Sequence, residues 1–411
     1  MLKLKAFTLI LVCFMVSTGF GQSATSLPDY TFDADPAPVS QVYGFLMTDM
    51  GYNNGRIAPN WSDVVRPSKL PGADQEYGAD GETFAGVRQS RFGFKSWVPV
   101  GDEQIKTIFE WDLFGVGADE GQTTIRMRHA YAEYKKFGAG QYFSPFMDVD
   151  VFPNSLDYWG PSGMAFYRNV HIRYMPVMGK NHVAIALEKP GGSGDLGDYG
   201  ELIRDAGITS RFPMPDLSAE YRHTGTWGYG EIAGIVRQMN WDDTDLTDGD
   251  MSGDAVGWGL NLSTNIKFGP PGSTLRAAYI FGEGIQNYMN DSTADVVLID
   301  DPDNPGTPGG TQLIPMWGLT VFYDLAWNSS FSTAMGYSQL SLDYDGTAAT
   351  ADTFNEGRYA LMNLLYTPVN NIMYGVELQY GGRQNFADGW DYDTFRVQFS
   401  FKYKFSANLG G

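Results

Sequence analysis

The sequence predicts an all-β fold, a transmembrane antiparallel β-barrel of about 16 strands with an infolded third outer loop. Three observations predict it. The closing segment Thr394–Phe405 alternates apolar Phe395, Val397, Phe399, Phe401, Tyr403 and Phe405 with polar residues that include Arg396, Lys402 and Lys404. Strict period-two alternation means a strand with two different faces, and its length matches the roughly ten residues needed to cross a bilayer. Similar segments recur along the whole chain, and short and long connections alternate between them. Finally, 15% aromatics with 50 glycines and a mean hydropathy of −0.26 are too polar for a helical membrane protein. A barrel with a wet interior gives such an average, because only every second strand residue meets lipid.

The chain opens as a secretory signal peptide, residues 1–21, with Lys3 and Lys5 before the apolar run Ala6–Val16 and small residues to Gly21. No run approaches the ~18 apolar residues of a membrane-spanning helix. The only cysteine, Cys13, falls inside this segment and lacks the preceding small residue of a lipoprotein site. Disulfide and thiolate chemistry are therefore excluded from the mature chain. Removing residues 1–21 leaves 26 Lys+Arg against 48 Asp+Glu, a net charge of −22 that excludes nucleic acid as a partner. A short periplasmic segment, 22–38, carries prolines at 28, 36 and 38 and no heptads.

The barrel is predicted over 39–405, with 406–411 as a tail. Its strands are expected at Val42–Tyr52, Phe84–Val98, Gln104–Phe114, Thr123–Lys135, Gly140–Phe146, Asn169–Met175, His182–Glu188 and Leu217–Thr224. The second half continues with Gly228–Asn240, Ala255–Phe268, Ser273–Tyr288, Pro315–Leu325, Phe331–Tyr344, Arg358–Tyr366, Ile372–Arg383 and Thr394–Phe405. Seven connections are short turns and eight are mostly long, as outer-membrane barrels have short periplasmic turns and longer outer loops. Asp301–Gly310, rich in Gly and Pro, reads as a loop. The setting implied is the outer membrane of a Gram-negative bacterium, with its lipid and lipopolysaccharide as surroundings.

Charge is distributed unevenly. Asp242, Asp243, Asp245, Asp248 and Asp250 cluster in one outer loop and Asp295, Asp300, Asp301 and Asp303 in another. They read as solvated loop tips; a divalent-ion site is the alternative, but neither run has EF-hand spacing, and no metal or cofactor site is assigned. The cations lie inside strands. Arg91 and Lys95 oppose Phe92 and Phe94; Arg126 and Arg128 oppose Ile125 and Met127; His171 and Arg173 oppose Val170 and Ile172. A charge facing lipid at mid-depth costs about 2–4 kcal/mol, so these side chains, with Arg396, Lys402 and Lys404, are predicted to face the lumen. The strands concerned are the second, fourth, sixth and last, which gathers the cations on one wall. Lys106, Glu110 and Asp112 share a face of the third strand, so local neutralisation is the alternative to a functional basic wall.

The third outer connection, Ser144–Arg168, carries Phe146, Phe152, Tyr158, Trp159 and Phe166 and is too aromatic for a loop in water. Folded into the lumen, it would bring Asp148, Asp150 and Asp157 opposite the cations and create a transverse field. Arg168 at its end joins the expected pore lining. The alternative is a loop packed over a subunit interface.

The segments SRFGFKSWVPVGD (90–102), IRMRHAYAEY (125–134), GQYFSPFMDVDVFPNSLDYWGPSG (140–163) and RNVHIRY (168–174) together resemble the DcaP-like outer-membrane porins, over about the first half of the barrel. The resemblance implies a 16-stranded homotrimer that passes small anions, especially dicarboxylates, by diffusion. It also implies that Arg91, Arg126, Arg128 and Arg173 occupy the family's basic positions and Asp148 and Asp150 its infolded loop. Several relatives carry a periplasmic coiled coil before the barrel; here only Gln22–Pro38 stands there.

The rival readings are a carbohydrate or general diffusion porin, favoured by the aromatic loop, and a structural or adhesive barrel acting through its outer loops. An enzyme is not expected. His182 and His223 sit beside periplasmic turns, His171 shares a face with Arg173, and none has a local serine or acid partner. His129 falls on a face with Met127 and Tyr131, which reads as a subunit contact.

Overall fold

The computed structural model describes residues 26–32, 37–199, 209–244 and 252–409, without the side chains of 304 and 305. The expected signal peptide, parts of 22–38, and Asp245, Asp248 and Asp250 lie outside the described residues. Sixteen strands form the barrel: β1 Val39–Asn53, β2 Arg91–Val100, β3 Glu103–Phe114, β4 Thr123–Tyr134, β5 Phe137–Phe143, β6 Arg168–Val177, β7 His182–Glu188, β8 Asp216–Gly225. The series continues with β9 Gly228–Asp242, β10 Gly253–Lys267, β11 Thr274–Glu283, β12 Pro315–Ala326, β13 Phe331–Leu342, β14 Phe354–Val369, β15 Ile372–Asn385 and β16 Asp391–Leu409.

Each strand pairs antiparallel with the next, and β1 closes on β16 from Ser40↔Leu409 to Asn53↔Arg396. Closure leaves no strand edge in the membrane, as a bilayer core without water demands. The last strand runs past Phe405, so most of the expected tail 406–411 is strand: Ser406–Leu409 pair with Ser40–Tyr43. Among the described residues helical structure is limited to short 3-10 turns, and no helix is long and apolar enough to cross a membrane.

Facing follows the alternation. On β6, Ile172 is 64% exposed on the outer surface while its neighbour Arg173 is 0% exposed inside. On β16, Phe395 and Phe399 point out and Arg396, Gln398 and Ser400 point in. The rhythm is interrupted at several register shifts, and the one that bears on the site lies in β4. Glu110 of β3 pairs with His129 and the next residue, Trp111, pairs with Met127, so Arg128 is an extra residue in a bulge. A bulge breaks period two and turns consecutive side chains to one side. Arg128 and His129 therefore both face inward. Met127 is 40% exposed outside, but His129 and Tyr131 are 2% exposed inside, which corrects the subunit-contact expectation for those two residues.

Two further differences concern loops. The expected loop Asp301–Gly310 instead belongs to a hairpin: Val296–Asp301 pairs with Asn304–Leu313, and Gly194–Asp195 adds a parallel third strand. The ladder slips where Asp300 opposes Pro308, a bulge position that tolerates a residue without an N–H. Near the N-terminus, residues 26–32 dock against the foot of β2–β4. Leu27 N donates to Glu133 Oε1 (2.9 Å), Lys106 Nζ donates to Leu27 O (2.7 Å), and Trp97 Nε1 donates to Pro28 O (2.8 Å). Lys106 also pairs with Glu133 at 2.9 Å.

Candidate functional site

The third outer loop, 144–167, leaves β5, enters the barrel and follows its inner wall. Its first anchor is Asp148, buried against β8–β10. Asp148 accepts from Arg222 Nη2 (2.7 Å), Tyr229 OH (2.7 Å) and Ser263 Oγ (2.7 Å). Arg222 also holds Asp150 at 2.5 Å. The loop then crosses to the far wall. Leu156 N and Asp157 N donate to Glu377 of β15 (2.8 and 2.9 Å), and Asn363 Nδ2 donates to Asn154 O (2.8 Å). Leu156 O accepts from Gln89 Nε2 and Gln398 Nε2 (2.8 and 3.1 Å). On the return, Gly163 lies flat on β12 and β13, where a Cβ would collide with the Leu319 and Gln339 carbonyls.

Between these anchors the loop presents Tyr158 to the opposite wall. Its hydroxyl donates to Asp112 Oδ2 and accepts from Arg126 Nη2 and from Arg128 Nη1, the last at 2.7 Å. Asp112 pairs with Arg126 at 2.7 Å and with Arg128 at 2.9 Å; Glu110 pairs with Arg128 at 2.7 Å and Arg91 at 3.6 Å. Arg168 rests over the Phe166 ring at 5.5 Å, and among the described residues no carboxylate lies within ion-pair distance of it. Arg91 and Lys402 flank the Phe45 ring at 5.2 and 4.9 Å. Four guanidiniums thus face two carboxylates in one cluster, leaving two positive charges in excess.

This cluster opens on a lumenal cavity of about 1490 Å³, lined by Arg91, Arg126, Arg128, Arg168, Lys402 and Lys404, and by Asp150 and Asp157 of the loop. The remaining candidates do not reach that cavity. Lys95 sits against the Tyr43 ring at 4.8 Å. Arg173 donates to Phe143 O behind the Tyr131 and Tyr142 rings. His171 is buried, with Nδ1 3.0 Å from Asn169 O. The inner wall here is a packed aromatic core that includes Tyr131, Tyr142 and Phe143, so inward facing does not mean lumen-exposed. Arg396 is buried on the other side, donating to Asn53 Oδ1 (2.6 Å) and to the Ser62 and Val64 carbonyls (2.5 and 3.1 Å), where it fastens the first outer loop.

The acidic half of the expected transverse field is likewise redirected. Asp148 and Asp150 share Arg222, and Asp157, fully buried, accepts from Tyr359 OH at 3.0 Å with Arg396 4.0 Å away. Burial pushes the Asp150 and Asp157 carboxyls above the ordinary carboxylate range, Asp148 adding to the push on Asp150 and Arg396 opposing it at Asp157. The loop therefore meets the basic wall with a phenol rather than with free carboxylates. Sequence reasoning passed over Arg222 and Glu377, and over Arg276, which lines the same cavity and pairs with Asp324 at 2.7 Å. Arg222 was signalled by its place two residues from Glu220 on one strand face; nothing local signals Glu377 as the loop's clamp.

Comparison with solved structures finds the same architecture. The outer membrane channel DcaP of Acinetobacter baumannii superposes with a TM-score of 0.75 at 23% identity, covering 91% of this chain and 99% of that one. The anion-selective porin from Comamonas acidovorans gives 0.56 at 10% identity, covering 90% and 100%. The trimer form of OmpT from Vibrio cholerae gives 0.54 at 12%, covering 90% and 100%. No curated protein matches the sequence. The fold is that of outer-membrane channels rather than of known enzymes. The family model of the DcaP outer membrane protein matches residues 20–405. Nearly the whole chain is thereby accounted for, and the protein belongs to the DcaP outer membrane protein family of the Gram-negative outer membrane.

Proposed function

We propose that this barrel is a passive diffusion channel for small anionic solutes, with dicarboxylates as the favoured class. The observation that carries the reading is the surplus of guanidinium at the lumenal cluster: Arg91, Arg126, Arg128 and Arg168 against Glu110 and Asp112. A cationic constriction selects anions, and the planar arginine fork suits carboxylate. Arg168 is the best candidate for direct contact with a solute, since it lines the cavity without a carboxylate partner among the described residues. Arg126 and Arg128 set the field around it. A barrel of this kind assembles as a homotrimer, as the OmpT neighbour does in its trimer form; native mass of the detergent-solubilised protein checks this.

The carbohydrate reading loses its support in the loop's own contacts. Tyr158 stacks on Phe114 at 4.3 Å, and Trp159 meets Trp61 edge-on at 4.8 Å. Arg66 lies over both Trp61 and Trp159, 4.2 Å from each. Trp61, Tyr158 and Trp159 border the cavity, but their faces are packed on neighbouring rings and under Arg66, which leaves little flat surface for a sugar to stack on. A purely adhesive barrel has no use for a charged lumenal cavity.

Arg168→Gln tests the reading. Proteoliposomes should take up a small dicarboxylate about five- to thirty-fold more slowly, equivalent to about 1–2 kcal/mol lost at the constriction. Uptake of a neutral sugar of similar size should be unchanged. Equal slowing of both solutes, or of neither, contradicts the assignment.

A further inference from the structure

We infer that His182, Glu220 and Glu231 form a binding site for a divalent transition-metal cation, of which zinc is the representative. These residues come from three adjacent strands. His182 opens β7 directly after the turn 178–181 and lies opposite Arg222 of β8, which in turn lies opposite Glu231 of β9. Glu220 is two residues from Arg222 on the same inward face. The three side chains are buried, and one ligand atom from each falls within 4.8 Å of the others. No sequence motif marks the set, because its members are separated along the chain and meet only through strand pairing.

Geometry and charge point the same way. His182 Nε2 stands 3.7 Å from Glu220 Oε1 and 3.8 Å from Glu231 Oε2. Those separations are long for hydrogen bonds and fit two ligands each about 2.0–2.2 Å from one ion. His182 also hydrogen-bonds the backbone of Gly179, the kind of outer contact that orients a metal-ligating imidazole. Glu231 Oε1 is buried with no hydrogen-bond partner among the described residues. The charge around the site is lopsided. One guanidinium, Arg222, serves three carboxylates: Glu231 (2.5 Å), Asp148 (2.7 Å) and Asp150 (2.5 Å).

Buried charges without compensation cost several kcal/mol each. A cation at His182–Glu220–Glu231 supplies the missing positive charge. Imidazole with two carboxylates suits zinc, manganese or cobalt better than calcium or magnesium, which take all-oxygen shells. Because Arg222 also grips Asp148, the ion would steady the first anchor of the infolded loop. Protons on the carboxylates are the competing way to balance the charge, and the two are separable by experiment.

The full-length folded barrel, in detergent and stripped with a chelator, is titrated with zinc by calorimetry and with cobalt by visible absorption. The expected result is one saturable equivalent per chain, with cobalt bands of nitrogen and oxygen ligation. His182→Gln should weaken binding at least tenfold, and Glu220→Gln should do the same. Retention of the heat-modifiable gel shift identifies variants that still fold, so the two substitutions back each other. Absence of saturable binding to the native barrel means that protons balance the charge and overturns the proposal. Binding that persists unchanged in both folded variants belongs to the outer-loop acids and overturns it as well.

Discussion

Glu377→Ala should free the far end of the infolded loop and raise single-channel conductance. Glu377 is fully buried, and four donors converge on it: Leu156 N, Asp157 N, Asn363 Nδ2 (2.8 Å) and Gln379 Nε2 (2.7 Å). Alanine removes every acceptor at once. Leaving two backbone N–H groups without partners costs about 1–3 kcal/mol each. The loop can recover part of that by moving into the wet lumen and hydrogen-bonding water. The contacts that remain, Gln89 and Gln398 to Leu156 O, Asn363 to Asn154 O and Tyr359 to Asp157, limit how far it moves. Strand pairing is untouched, so the barrel should still show its heat-modifiable shift while conductance increases. Glu377→Gln keeps one acceptor oxygen and should give a smaller rise. Wild-type conductance in the alanine variant would falsify the clamp.

Asp112→Asn and the double replacement Arg126→Gln, Arg128→Gln should move ion selectivity in opposite directions. Asp112 neutralises both arginines and accepts from the Tyr158 hydroxyl. Its neutralisation adds one net positive charge to the cluster, while the double replacement removes two. At 4 Å a unit charge is worth about 1 kcal/mol in water and about 4 kcal/mol at an effective dielectric of 20. The reversal potential should therefore shift measurably toward anions in the first variant and away from them in the second. Both shifts should shrink in ~1 M salt, where the screening length falls to about 3 Å. Opposite signs from touching residues are hard to produce by pore size. Shifts in the same direction would mean that the cluster acts through loop geometry rather than charge.

Local alternation carried much of this architecture into view. Ile172 against Arg173, and Phe399 against Ser400, face as period two requires, and the apolar 144–167 segment turns inward because water cannot solvate its rings. The bulge at Arg128 was invisible, since one inserted residue in a strand leaves no compositional mark. The fate of the loop acids was equally hidden. Asp148 meets Arg222 and Leu156 meets Glu377 across 74 and 221 residues of sequence, distances over which no local pattern operates. Arg173 and Arg396 show the same limit. Alternation fixes which side of the sheet a cation occupies, but packing by Tyr131, Tyr142 and the first outer loop decides whether it reaches the lumen.

The most direct measurement is the zero-current potential of the unmodified barrel in a planar bilayer under a potassium chloride gradient. Two uncompensated guanidinium charges at the constriction predict a potential of the sign for chloride over potassium, which added dicarboxylate should reduce by competing for the same cluster. A potential of the opposite sign, or none, would contradict a positive lumen.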